Sequence, residues 1–406
     1  MMKLCLEDQL KKASVTRLFI FFGIFSILCN MGHPVTPTMF IEKGFEDYLF
    51  GVSFAAMSLC YFFGSLIWGS IGDRYGHIKV IAVNGPIYGL TQLWFGLTDS
   101  VVMTIVARLI GGFFSAGVFV CSLAYLVNMT DKNNRGRYMN YYVAFNSVGA
   151  AFGYFIGGIL GNVSINAVFI FQSSAIVLNG VLTYLMMDEI KLAHSKFTAN
   201  MSLNPFKAYN DIMGELPKIL ITFLTAVFLA SFATTAYDNA FNYYMKDVLG
   251  LAASYNGIIK AIIGIVTLIV NFTINLYIER RTDARKSLII VLFLCALSSF
   301  AVPFIPALYP FFVANIIFFM FNAIYLPIQQ DLVTRDQDST TSGIISGIFN
   351  SVRAMGMIFG SLFSGFIYEL GNTLPFISTA IVFFLSAVIS VVNLKQYNSE
   401  QSGVNL

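Results

Sequence analysis

Long apolar runs alternate with short polar gaps along this chain, and lysine and arginine concentrate in every second gap. Counted as twelve runs, the pattern puts nineteen of the 24 basic residues in the terminal tails and alternate gaps. These are Lys3, Lys11, Lys12, Arg17, Arg74, Lys79, Lys132, Arg135, Arg137, Lys191, Lys196, Lys207, Lys218, Arg280, Arg281, Arg285, Lys286, Arg335 and Lys395. The intervening gaps hold only Lys43 and Lys246, and Arg108, Lys260 and Arg353 lie inside runs. Basic residues stay on the cytoplasmic side because carrying them across a bilayer is unfavourable. The asymmetry therefore predicts a multi-pass protein of the cell membrane with both termini in the cytoplasm.

Lipid offers a backbone no hydrogen-bond partners, so each run must satisfy its own, and about 20 apolar residues of helix cross about 30 Å of hydrocarbon. Spans are predicted at 17–40, 48–71, 78–97, 101–127, 138–161 and 166–187, then at 218–245, 252–278, 286–305, 307–330, 341–367 and 373–394. The expected fold class is an all-α membrane protein with twelve transmembrane helices in two pseudo-symmetric six-helix bundles. With 57% hydrophobic and 11% charged residues, the chain lacks the polar shell of a soluble domain. Its net charge of +3 is spread over many short gaps and forms no nucleic-acid face. The polar start of the chain, MMKLCLEDQLKKASVTR, is no signal-peptide core, so the first run is expected to remain. Cys5, Cys29, Cys60, Cys121 and Cys295 are dispersed and suggest neither a disulfide framework nor a metal site. No glycine-rich phosphate loop ending in Gly-Lys-Ser or Gly-Lys-Thr occurs, and no cofactor is expected.

The longest polar segment, Asp188 to Pro217, divides the chain into bundles at 1–187 and 218–406 joined by a cytoplasmic loop at 188–217. The halves echo each other. Asn146-Ser147-Val148 in the fifth run returns 204 positions later as Asn350-Ser351-Val352 in the eleventh. Such an offset is what a duplicated half leaves. The gap after the second run carries Gly69, Gly72, Asp73, Arg74, Gly76, His77 and Lys79, and the gap after the eighth carries Glu279, Arg280, Arg281, Asp283, Arg285 and Lys286. Both place an acid before arginine and basic residues at the start of the next run.

On these residues the chain resembles the major facilitator superfamily. Gly69, Gly72, Asp73, Arg74, Gly76 and Lys79 match its loop signature, with His77 in place of a usual basic residue. The resemblance implies that this loop latches a cytoplasmic gate, although a well-capped turn between adjacent helices accounts for the same residues. In the fourth run, Arg108-Leu-Ile-Gly-Gly112 is similar to a motif whose arginine contributes to proton coupling; Arg108 either faces a central cavity or bonds to carbonyls of a nearby helix. In the fifth run, Gly149, Gly153, Gly157 and Gly158 resemble an antiporter motif, with Tyr154 where proline is usual. Plain helix packing explains these glycines equally well, since small residues four apart let backbones approach. The family further implies a monomer working by alternating access.

Ionisable groups inside spans are expensive and mark function by default. Besides Arg108 they are His33, Asp238, Lys260 and Arg353. Asp238 is the only acid inside a predicted span, and it either carries the coupling proton or serves as a fixed counter-ion. His33 precedes Pro34 in a run that also holds Pro37, which predicts a broken helix, and the offset between halves puts it near the place of Asp238. It either shares proton or substrate handling or is simply hydrogen-bonded within the bundle. Asn30, Tyr61, Gln92, Tyr125, Asn146, Tyr237, Asn242, Asn322 and Tyr325 are candidates for adaptable contacts in a cavity. With three cations and one acid in the spans, anionic, zwitterionic or neutral amphiphilic solutes fit better than organic cations. The predicted function is a proton-coupled secondary transporter of a small organic solute, read as drug or metabolite efflux antiport; an uptake symporter for a sugar, organic anion or peptide-like solute is the rival reading. An enzyme is not expected, because His33, His77 and His194 fall in three separate segments.

Overall fold

The computed structural model describes residues 2–130, 135–189, 217–335 and 342–404. The greater part of the expected loop at 188–217, with Lys191, Lys196, Lys207 and His194, lies outside the described residues. Among those described, the regular structure is entirely helical. The helices are α1 Met2–Asn30, α2 Thr36–Glu42, α3 Tyr48–Tyr75, α4 His77–Leu97, α5 Val101–Met129, α6 Arg135–Gly161 and α7 Ile165–Met186. They continue as α8 Lys218–Asp247, α9 Ala253–Val270, α10 Leu276–Arg281, α11 Ala284–Ala301, α12 Leu308–Arg335, α13 Ser342–Leu370 and α14 Leu374–Val404. Two spans are interrupted. A 3-10 turn at His33–Val35 separates α1 from α2, where Pro34 and Pro37 remove backbone donors, and a π turn at Asn271–Asn275 joins α9 to α10. The twelve expected spans are thus present.

Eleven of these segments are long and apolar enough to cross a membrane. The twelfth, α4, is more polar, with Asn84, Thr91 and Gln92 buried among its neighbours rather than facing lipid. Several helices run past the apolar runs: α1 takes in the polar start of the chain from Met2, and α14 continues to Val404. A helix need not end where the hydrocarbon does, because water satisfies its protruding turns. Starts follow capping chemistry. Ser100, Ser164 and Asp283 accept bonds from the first-turn amides of α5, α7 and α11. At the other end of α4, Lys43 donates to the carbonyls of Gly96 and Thr98, at 2.8 and 2.5 Å.

Cα proximity divides the chain into two compact units, one of residues 1–46, 56–198 and 245–264, the other of 47–55, 199–244 and 265–406. In the first, a side chain at Gly153 of α6 would strike the carbonyl of Ile27 on α1, and one at Gly157 that of Met31 just past its end. In the second, Gly356 and Gly360 of α13 stand against the carbonyls of Phe228 and Phe232 on α8 in the same way. The two units share one packing device at equivalent places, as duplicated bundles should. A second glycine crossing recurs as well: Gly158 meets Gly257 in the first unit, and Gly51 meets Gly365 in the second.

Candidate functional site

In the first unit, three half-buried side chains from separate helical segments converge. The Tyr154 ring on α6 stacks against the His33 imidazole, with centroids 5.5 Å apart and planes 12° from parallel, and the Lys260 ammonium of α9 lies 5.8 Å from the Tyr154 ring centre. The packing explains the meeting. Gly157 seats α6 on the backbone of Met31, which brings the 3-10 turn with His33 up to Tyr154. Gly257 lies against the carbonyl of Tyr154, which brings Lys260, one turn further along α9, to the same ring. Asn30 and Asn146 meet nearby through Ser26: Asn30 Nδ2 donates to the Ser26 carbonyl at 2.8 Å and the Ser26 hydroxyl donates to Asn146 Oδ1 at 3.2 Å.

Arg108 lies deeper, 3% exposed. Its guanidinium sits 3.6 Å over the Phe95 ring of α4, and Nη1 lies 3.3 Å from the sulfur of Met57 on α3. An aromatic face attracts a cation most strongly where water is excluded. The structure therefore wedges Arg108 between helices, still within electrostatic range of His33. Of the other polar candidates in this unit, Gln92 and Tyr125 are buried, and the Tyr125 hydroxyl donates to the Asp188 carbonyl at 3.0 Å.

The second unit gathers a different set. Tyr237 is fully buried; its ring stacks 3.6 Å from Phe318 and its hydroxyl donates to Asn315 Oδ1 at 2.7 Å. One turn earlier on α8, Thr234 Oγ1 lies 2.7 Å from the Tyr325 hydroxyl and accepts from Asn322 Nδ2 at 2.8 Å. These bonds tie α8 to α12, and both tyrosines are spent on the helix interface. Asp238 is half-buried beside them and accepts from Asn242 Nδ2 at 3.4 Å. Arg353 on α13 is also half-buried, within electrostatic range of Tyr325.

The signature loop folds at the end of the first unit where α3 meets α4. Gly76 takes φ 108° and ψ 136°, a region open to glycine alone, so the chain reverses there in a single residue. Gly69 is half-buried on α3, and Gly72 lies against His77 and Cys121. Asp73 is exposed, with Oδ1 3.5 Å from Nε2 of His77, whose ring is buried and also lies 3.1 Å from Nδ2 of Asn128. Arg74 leans over its neighbour Tyr75, and Lys79 is exposed. The amides of Ile78 and Lys79 donate to the carboxylate of Glu189, at 3.4 and 3.2 Å, so an acid from beyond α7 closes the positive end of α4. Sequence reasoning did not find Glu189, because its only local signal was a polar segment beginning. Tyr154 did stand out, as the residue in place of a proline, but its neighbours His33 and Lys260 are remote in sequence.

Residues 18–357 match the model of the Major Facilitator Superfamily. The chain is 20% identical over 395 residues to multidrug resistance protein 2 of Bacillus subtilis, covering 96% of each chain. It is 22% identical over 398 residues to the quinolone resistance protein NorA of Staphylococcus aureus, covering 95% of this chain and 98% of that one. Its fold is similar to that of a bacterial homolog of the human lysosomal transporter Spinster, with a TM-score of 0.79 at 12% identity over 95% of this chain and 97% of the other. The nucleoside transporter NupG gives a TM-score of 0.73 at 15% identity, over 94% and 98%. With twelve spans, a repeated helix packing and a family match across most of its length, this chain belongs to the Major Facilitator Superfamily, as a multi-pass membrane transporter and not an enzyme.

Proposed function

We propose that this transporter is a proton-coupled antiporter of the cell membrane that exports a small organic solute by alternating access, with both chain termini in the cytoplasm. The observation that carries the reading is the placement of ionisable groups within apolar helices. Asp238, Arg108, Lys260, Arg353 and His33 all lie inside spans, where each of the four charged groups costs about 2.5–3.5 kcal/mol or more to hold. Such a cost is retained where a charge moves or is recognised. Asp238 is assigned the coupling proton, and Arg108 and His33 are further candidates for proton coupling. Direction rests on the full-length similarity to proteins named for multidrug and quinolone resistance. The loop from Gly69 to Lys79 is assigned the gate, held by Gly76 and Glu189.

Inverted membrane vesicles test the reading. Solute accumulation driven by an acidic lumen, with proton release on adding solute, is the expected result. Solute uptake by whole cells that collapses with the proton gradient, with no accumulation in inverted vesicles, would instead establish the symporter.

A further inference from the structure

We propose that His33, Tyr154 and Lys260 form a subsite for the carboxylate-bearing aromatic end of an organic anion. The inference rests on the transporter reading and names the class of solute carried.

Tyr154 is a flat aromatic plate held at the meeting of three helical segments, flanked by an imidazole nearly parallel to it and by an ammonium group near its face. All three are half-buried, so they are reachable yet partly stripped of water. A planar ring can extend the existing stack, and a carboxylate on that ring can meet Lys260, with the N–H of the neutral His33 imidazole as a second donor.

Charge selects the ligand. Between residues 9 and 187, the acids are Glu42, Glu46, Asp47, Asp73, Asp99 and Asp131, none of them inside a predicted span, and residues 248–278 contain none. The predicted spans of this unit thus contribute the cations Arg108 and Lys260 and the imidazole of His33 without a carboxylate. Asp238 can neutralise one of the three span cations, which leaves the spans positive overall whichever it faces. Arg108 is too deeply packed on Phe95 to touch a solute, but it raises the local potential around His33. A cationic aromatic solute would meet repulsion at the plate where a neutral one would stack and an anion would bind.

Three probes of one shape separate these cases: 2-naphthoate, 2-naphthamide and 2-naphthylmethylammonium. Their counterflow into proteoliposomes holding the purified full chain gives a rate and an apparent affinity for each. The expected order is naphthoate, then naphthamide, then the ammonium. Lys260→Met should lower the naphthoate-to-naphthamide affinity ratio about tenfold or more, the worth of one hydrogen bond to a charged group, and Lys260→Arg should retain it. Because the ratio compares two solutes on the same molecules, loss of folded protein does not move it. Tyr154→Phe should retain the ratio and Tyr154→Leu should weaken naphthoate and naphthamide together. Preference for the ammonium, or an unchanged ratio in Lys260→Met, overturns the subsite while leaving the transporter reading in place. No flux of any probe, with no proton movement, overturns both.

Discussion

Gly76 and Glu189 are predicted to be energetically coupled, and a double-mutant cycle measures it. Two terms make up the cost of Gly76→Ala. Holding a non-glycine residue at φ 108° and ψ 136° costs about 1–3 kcal/mol. The new methyl would also occupy the place of the Glu189 carboxylate and displace it from the amides of Ile78 and Lys79. Losing that carboxylate from a helix N-terminus costs about 1–2 kcal/mol, nearer the lower figure because both bonds are long. Glu189→Ala alone should show only the second term. In the double variant the carboxylate is lost once, not twice, so the single costs overshoot by about 1 kcal/mol. The assay is the melting temperature of detergent-purified protein at one fixed scan rate, since unfolding of a chain this size is governed by rate as much as by equilibrium. At about 1 °C per kcal/mol for a chain of 406 residues, the double variant should melt about 1 °C above the sum of the single shifts. Additivity to within about 0.3 °C over replicate scans would refute the contact between Glu189 and the start of α4.

Three further outcomes follow from the same structure. Asp73→Asn should leave expression and melting near those of the parent, because the side chain is exposed, while lowering solute flux; unaltered flux removes the loop from gating. Asp238→Asn should abolish accumulation driven by a pH gradient yet preserve solute counterflow, since exchange moves no net proton; gradient-driven accumulation at the parental rate would reassign Asp238 as a fixed counter-ion. Tyr237→Phe should destabilise by about 1 kcal/mol by stranding the buried Asn315 oxygen, and its selectivity among solutes should match the parent, as the ring stays on Phe318. A shift in selectivity would place Tyr237 in contact with the solute.

The spans were legible in the sequence because a bilayer imposes a one-dimensional rule: a run is long and apolar or it does not cross. Even α4, too polar to stand out by hydropathy, was found because the polar gaps on either side of it set its length. The break at Pro34 was legible too, since proline removes a donor wherever it sits. Duplication left only a faint trace, Asn146-Ser147-Val148 and its echo, but the paired crossings of Gly153 with Ile27 and Gly356 with Phe228 make it concrete. What the sequence could not rank was its polar residues. Tyr237 and Tyr325 read as cavity residues, and the fold spends them on bonds between α8 and α12. Tyr154 read as a missing proline, and the fold sets its ring against both His33 and Lys260. Composition and charge placement thus determined that the chain crosses a membrane twelve times. Which side chains meet was decided by helix packing, because backbone contacts at Gly157 and Gly257 set distances between residues that no local pattern relates.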